Sequence, residues 1–466
     1  MLVHQAFRFE LGPSDAARSA LASHAGAARF AYNWGLATVS EALAAHRALT
    51  ALALRQGATA TEARAWADEV GGPVPWTLPA LRRRWNAAKA EVAPWWAENS
   101  KEAYSSGLDA LARALKGFFD SRSGERRGRP VGFPRFKRRG SRRSFRVTTG
   151  SFGVADHRHV RLPRIGVVRT KEATTTLVAH LEAGTARILS ATVSESAGRW
   201  FVSFGCQVVR SEARPKQPKA VVGVDVGVRS LAVVSTGEVV ANPKHLSRYH
   251  RRMARLQRQC ARRQGPAKGR APSMRWRRSR DALARTHARA AAARRDGLHK
   301  LTTRLATTYG TMVVEDLNVA GMTASARGSG RRAKAGLNRA VLDASPAELR
   351  RQLAYKATWY GSTLVVGRPL VPVLQDVLGL RAAKAKPPTG RAHLALRVRP
   401  GPRPGPQRGP QPGLPRGGRN RYRQWGGNQP GRRPGERTGR GEVHGLAQVL
   451  LAEPSRRQSC SFRARA

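Results

Sequence analysis

Acidic residues are scarce in this chain: 29 Asp and Glu stand against 85 Lys and Arg over 466 residues, a formal net charge of +56. Self-repulsion on that scale calls for a polyanionic partner, so a binder of phosphate backbones is the expected class. A membrane surface is the weaker alternative, because no long amphipathic anchor stands out. Cysteine is also rare. Cys206, Cys260 and Cys460 lie far apart, which excludes a disulfide framework and a CxxC-type metal site and points to a reducing, cytoplasmic compartment. Zinc is therefore not expected in this chain. Long apolar runs are missing as well: no stretch of about eighteen apolar residues occurs, so no membrane span is expected. The opening stretch Met1–Glu10 alternates like a strand and lacks the apolar centre of a signal peptide.

What is present divides the chain into regions. Its length accommodates about two or three domains with real cores. Residues 14–56 read as helical, rich in Ala and Leu, with Phe30, Tyr32 and Trp34 clustered. A second helical region covers 77–120 and carries Trp85, Trp95, Trp96, Tyr104, Phe118 and Phe119. These aromatics are read as helix-packing core in preference to base-stacking surfaces. Residues 121–146 then turn rich in Arg and Gly, with Phe133, Phe136 and Phe145 interleaved. Such a mixture suits phosphate contacts with occasional stacking, a solvated basic loop being the plainer alternative. Its candidate contacts are Arg135, Phe136, Lys137, Arg138, Arg139, Arg142 and Arg143. Residues 146–210 alternate like an antiparallel sheet, in the pattern of a small β-barrel. The segment Arg210–Pro218 reads as a linker.

The most informative stretch follows. Val221–Val234 reads as a strand carrying Asp225, a turn at Gly227, and a second strand. Met312–Val314 is another apolar strand, ending in Glu315 and Asp316. Two strands that each deliver a carboxylate, here Asp225 and Glu315, point to a divalent-metal site for phosphodiester chemistry. Between them, residues 244–308 read as a basic helical hairpin broken around Gly265–Gly269. Lys244, Arg251, Arg252 and Arg255 on it are further candidate phosphate contacts. A Gly/Arg loop is expected at 326–336, a helix from Ser345 to about Tyr360, and a strand at Ser362–Val366. From Gly367 onward the alternation stops. Residues 397–437 are mostly Arg, Pro, Gly and Gln, a composition that cannot bury a core and is expected to be disordered.

An Asp-bearing strand beside a strand that ends in Glu is the layout of RNase H-like nucleases, where a third carboxylate completes a site for two metal ions. GVDVG alone also fits sugar-kinase and actin-like folds, but no phosphate-binding glycine loops accompany it here. The ordered set GFPRFKRR, GVDVGVRSLAVVSTGE, the basic hairpin, VVEDLNVAGM and LDASPAELRRQLAYKATWYGSTLVVG resembles the TnpB/OrfB family of insertion-sequence proteins, relatives of the type V CRISPR nucleases. The resemblance covers most of residues 1–366. It implies an α/β multidomain fold, with an RNase H-like (RuvC) nuclease domain preceded by a helical domain and a small β-barrel. Residues 1–10 would open a wedge-like barrel, 11–127 would form a helical recognition domain, and 128–214 the basic loop and the rest of the barrel. Residues 215–366 would be the RuvC-like domain, with the hairpin 244–308 inserted. The same resemblance implies a guide-type RNA and DNA as partners, and cleavage next to a short DNA motif. It further implies Mg²⁺ or Mn²⁺ held by Asp225 and Glu315 as the first and second carboxylates, with Asp316 in a supporting role.

The family continues with an Asp-Arg and aromatic stretch, a four-cysteine zinc ribbon and a final Asp in a D-R-D-x-N-A-A motif. None of these stands in this sequence. Read from the second base of each codon, Gly367–Arg381 can encode ADRWYPSSKTCSGCG, and Leu396–Pro412 in the same offset can encode CECGLVLDRDLNAARNL. A frameshift near Val366–Gly367 is therefore inferred to have replaced the ribbon and the third carboxylate in residues 367–466, the alternative being a divergent basic tail. Asp376 is the sole acid between 367 and 435 and nothing places it in the site. The expectation is retained nucleic-acid binding with cleavage severely weakened or absent. Two other readings stay open: a DNA-binding accessory of transposition that does not cut, and a general RNA-binding protein whose strands are scaffold only.

Overall fold

The computed structural model describes residues 1–267, 269–325 and 330–367. The inferred tail, Asp376 and Cys460 lie outside the described residues. Strand β1 (Leu2–Leu11) leads into helix α1 (Asp15–Arg55). The Ser14 hydroxyl sets that start by accepting from the Ala17 N–H at 3.2 Å, which satisfies a donor of the first turn. Helices α2 (Ala60–Gly71), α3 (Leu78–Val92) and α4 (Lys101–Arg122) follow, with a 3₁₀ turn at Pro94–Glu98 before α4. The sequence reading lacks α2, yet its start carries a reciprocal cap. The Glu62 N–H donates to the Thr59 hydroxyl at 3.3 Å, and the Thr59 N–H to the Glu62 carboxylate at 2.8 Å.

The aromatics of these helices are largely core, as their spacing indicates. Trp85, Tyr104 and Phe119 are buried, with Trp85 stacked on Tyr104 at 5.0 Å and Trp34 edge-on to Trp85 at 5.2 Å. The basic stretch after α4 is a loop until β2 (Ser144–Val147). Here one expectation is corrected: Phe145 is buried against His24 at 5.4 Å, because it sits on the inner face of β2. Phe136, by contrast, is 53% exposed.

Strands β3 (Gly153–Asp156), β4 (His159–Leu162) and β5 (Gly166–Arg169), helix α5 (Thr175–Glu182), then β6 (Ala186–Ser196) and β7 (Arg199–Val209) complete this half. An antiparallel sheet runs β1-β7-β6-β2, and a separate one runs β3-β4-β5. No closed barrel forms among the described residues, which corrects the small β-barrel reading. The alternation is real, but β2 pairs with β6 over only four residues, and among the described residues the two sheets join over a short stretch, the bridge Leu11↔Thr170 flanked by the Gly12 N–H to Arg169 carbonyl and Lys171 N–H to Glu10 carbonyl bonds, both 2.8 Å. Closure needs a continuous staggered ladder around the ring of strands, and among the described residues these strands form two separate sheets instead.

A second core belongs to the remaining elements. They are β8 (Gln217–Asp225), β9 (Ser230–Val234), β10 (Val239–Ala241), α6 (His245–Arg262), α7 (Met274–Thr308), β11 (Tyr309–Glu315), α8 (Val319–Met322), α9 (Arg331–Ala344), α10 (Pro346–Tyr360) and β12 (Thr363–Gly367). The sheet order is β10-β9-β8-β11-β12. β8, β11 and β12 run parallel, whereas β9 and β10 each pair antiparallel with their neighbours. Parallel neighbours need a long crossover, and here β9, β10 and the α6–α7 hairpin lie between β8 and β11, the hairpin leading from β10 to β11. The loop expected at 326–336 is helical from Arg331 onward, since α9 begins there. α10 packs on α7 through a polar seam. The buried Lys356 ammonium donates to the His299 carbonyl (2.8 Å) and to the hydroxyls of Thr302 (2.8 Å) and Thr303 (2.7 Å). Burial pushes this lysine down to about 8.

Candidate active site and nucleic-acid interface

Asp225 closes β8 and Glu315 closes β11, and the residues just before them, Val224 and Val314, are register partners across the parallel pair. Both acids follow a buried valine, so strand alternation sends both side chains from the opposite face. Adjacent strands lie about 4.8 Å apart, which brings two carboxylates side by side at the carboxyl edge of the sheet. Asp225 is exposed and Glu315 half-buried. Glu315 lines a small cleft with Val226, Leu317, Pro346 and Arg350. On its other side β12 ends at Gly367, the register partner of Glu315.

Asp316 is used differently. Its carboxylate is ion-paired with Arg350, and its N–H donates to the Gly367 carbonyl at 2.8 Å. It therefore ties the loop after β11 to α10 and β12. The donor set at Asp225 and Glu315 is two hard carboxylates, which fits Mg²⁺ or Mn²⁺, ions that keep several waters and take one or two carboxylates from protein. No group of three or more His, Cys, Asp or Glu side chains suited to a metal occurs among the described residues.

The basic loop is anchored before it can bind anything. The Lys137 N–H donates to the Asn33 side-chain oxygen at 2.8 Å, and the Asn33 amide donates back to the Lys137 carbonyl at 3.0 Å. The Lys137 ammonium sits over the Tyr32 ring at 3.8 Å, and burial, then the neighbouring Arg113 charge, hold it below the usual lysine range. Arg143 is paired with Glu195 at 3.1 Å. Arg135, Arg138, Arg139 and Arg142 point to solvent, as do Lys244, Arg251, Arg252 and Arg255 at α6.

Lys137 and Arg142 line a cleft together with Arg29, Arg113 and Arg146, and the hydroxyls of Ser106, Ser190, Thr192 and Ser203 face the same space. Arg29 and Arg113 escaped the sequence reading, because α1 and α4 supply them from distant segments and no local spacing links them, and Arg146, inside the basic stretch, was not among its candidate contacts. Arg8 on β1 escaped it too. Burial, and then the charges of Arg295, Arg142 and Arg199, lower its pKa.

Comparison with known proteins places the chain in a family. A family model described as a probable transposase, OrfB of the IS605 type, matches residues 203–326, and one described as a helix-turn-helix domain of the same group matches residues 1–48. A Mycobacterium tuberculosis (strain H37Rv) protein named as a candidate RNA-guided DNA endonuclease is 39% identical over 382 residues, covering 78% of this chain and 76% of that protein. The chain belongs to the TnpB/OrfB family. InsQ of Escherichia coli K12, named in the same way, is 32% identical over 372 residues, covering 78% of this chain and 80% of its own length. Among solved structures, a Cas12f1–sgRNA–target DNA complex aligns over 79% of this TnpB/OrfB chain and 90% of its own, at 11% identity and a TM-score of 0.37, too distant for its contacts to be carried over. Residues 1–48 hold β1 and the first part of the unbroken α1, so no turn divides two helices there. No helix among the described residues is long and apolar enough to cross a membrane.

Proposed function

We propose that this TnpB/OrfB protein is a cytoplasmic binder of a guide-type RNA and of DNA, built on an RNase H-like (RuvC) nuclease domain whose cleavage is severely weakened or absent. The observation that carries this reading is the in-register placement of Asp225 and Glu315 at the carboxyl ends of β8 and β11, inside the stretch that the transposase family model matches. Two strand pairings support the RNase H-like reading: an antiparallel β8–β9–β10 meander, and β11 and β12 added parallel on its other side. Under it, α1–α4 form the recognition domain, the β1 and β3 sheets the wedge, and residues 215–366 the nuclease domain. The DNA and RNA follow from the relatives' names, and the cationic clefts supply matching chemistry.

Asp225 and Glu315 are the side chains that would hold Mg²⁺ or Mn²⁺, which when bound would activate water and stabilise the leaving oxygen of a phosphodiester. This chain's own part is to set those carboxylates side by side and to keep Asp316 engaged by Arg350. The missing third carboxylate motif carries the proposal of impaired cutting.

The test is equilibrium binding of fluorescent RNA transcribed from the end of the protein's own element, beside a scrambled RNA, across a salt series. The expected result is preference for the element's RNA, a steep fall of affinity with salt, and no change in Asp225→Ala. Equal binding of both RNAs would replace this reading with that of a general RNA-binding protein.

A further inference from the structure

The sheet edge that carries Asp225 has a second feature. β10 runs in the same direction as β8, two strands away, so its end at Ala241 and the turn to α6 open on the edge where Asp225 stands. At about 4.8 Å per strand, that turn lies on the order of 10 Å from Asp225. A cleft occurs there between α6 and α9. Lys244, His250 and Arg251 line it from the α6 side and Arg339 from α9, with Ser247 and Asn242 beside them.

The cleft is preset. Lys244 adopts a left-handed backbone conformation, φ 46° and ψ 52°, which a non-glycine residue holds only when its surroundings impose it. The imposing group is Asn242. Its side-chain oxygen accepts from the Lys244 N–H at 3.0 Å, and its amide donates to the Val228 carbonyl at 2.8 Å. Val228 lies three residues beyond Asp225, so one side chain couples the cleft to the loop after the carboxylate. Among the described residues the only acid lining the cleft is Asp343, and it is already engaged. Arg294 donates to one oxygen at 2.6 and 3.1 Å, and the Leu246 N–H donates to the other at 2.9 Å. No salt bridge of Lys244, Arg251 or Arg339 occurs among the described residues. Cations that line one cleft, its acid engaged by Arg294, leave a net positive site suited to an oxyanion.

We propose that this cleft holds a backbone phosphate of the single DNA strand that crosses the Asp225–Glu315 edge, a nucleotide or two along from the carboxylates. This rests on the nuclease reading above. Lys244 and Arg339 clasp the phosphate from the two helices, Arg251 adds charge from the next turn of α6, and Asn242 fixes the distance to Asp225. These are positioning residues for the strand.

Lysine acylation of the full chain, read by mass spectrometry with and without a single-stranded DNA oligonucleotide, tests the socket. DNA is expected to slow Lys244 acylation at least about fivefold, while the Arg251→Gln/Arg339→Gln variant loses that protection and keeps protection at other lysines. An Arg47→Gln/Arg55→Gln variant, of the same charge change on exposed parts of α1, is expected to keep Lys244 protected. Protection of other lysines but not of Lys244 would overturn the socket and leave the nucleic-acid reading intact. Protection of no lysine by DNA would overturn both. Protection of Lys244 by RNA alone would overturn the assignment to DNA.

Discussion

Glu315 and Asp316 are neighbours in the chain and opposite in circumstance. Glu315 continues the alternation of β11 and stands level with Asp225, whereas Asp316 has turned away into an ion pair with Arg350. A carboxylate neutralised by a guanidinium is a poor metal ligand, so the two acids are predicted to behave differently. In Mn²⁺ titrations of the full chain followed by electron paramagnetic resonance, Glu315→Gln is expected to weaken binding at least about tenfold, or ~1.4 kcal/mol. Asp316→Asn is expected to change it by less than about twofold on the same scale. The reverse order would move the site to Asp316. Sequence pattern alone carries Asp225 and Glu315, since an acid that ends an apolar strand stands out locally. The ion pair of Asp316 rests on a partner 34 residues away, which no local spacing in the sequence reveals. Phe145 shows the converse: among arginines it reads as a stacking residue, and the strand that buries it is only four residues long.

At the scale of elements, close backbone approaches decide how the helices and strands meet. A Cβ on Gly107 of α4 would lie 2.1 Å from the Ala28 carbonyl oxygen of α1. That atom belongs to a helix backbone and cannot step aside, so Gly107→Ala must part α1 from α4. The predicted cost is about 3 kcal/mol, the upper range for overpacking. Gly26, on α1 itself, has nothing within 4 Å of its would-be Cβ, so Gly26→Ala is predicted to stabilise by up to about 1 kcal/mol through helix propensity. Thermal melts of the two variants should move in opposite directions, and equal shifts would contradict the crossing. Gly310 serves β11 in the same way, since its Cβ would lie 1.7 Å from the Pro218 oxygen of β8. The long helices α1, α4, α7 and α10 and the strands β1, β8, β11 and β12 were legible because each buries a regular stripe or alternation. α2 was not, because it buries only Ala63 and Ala67. Nor was the open form of the sheets, since alternation reports which face is buried and not whether edge strands meet.

At the scale of the whole molecule, the net charge of +56 and the cationic clefts flanking both cores favour retention of nucleic acid whatever becomes of chemistry. Chemistry depends on the end of the chain. The relatives' similarity and the motif order agree over the part that delivers Asp225 and Glu315, and the third carboxylate motif is missing from the sequence. Affinity and cutting are therefore predicted to come apart in this protein. The most direct measurement is a plasmid-cleavage assay with the full chain, the RNA from its element's end and Mg²⁺, run beside Asp225→Ala. The account predicts retained RNA and DNA binding, with cleavage no greater than that of Asp225→Ala. Efficient cutting that Asp225→Ala abolishes would contradict it.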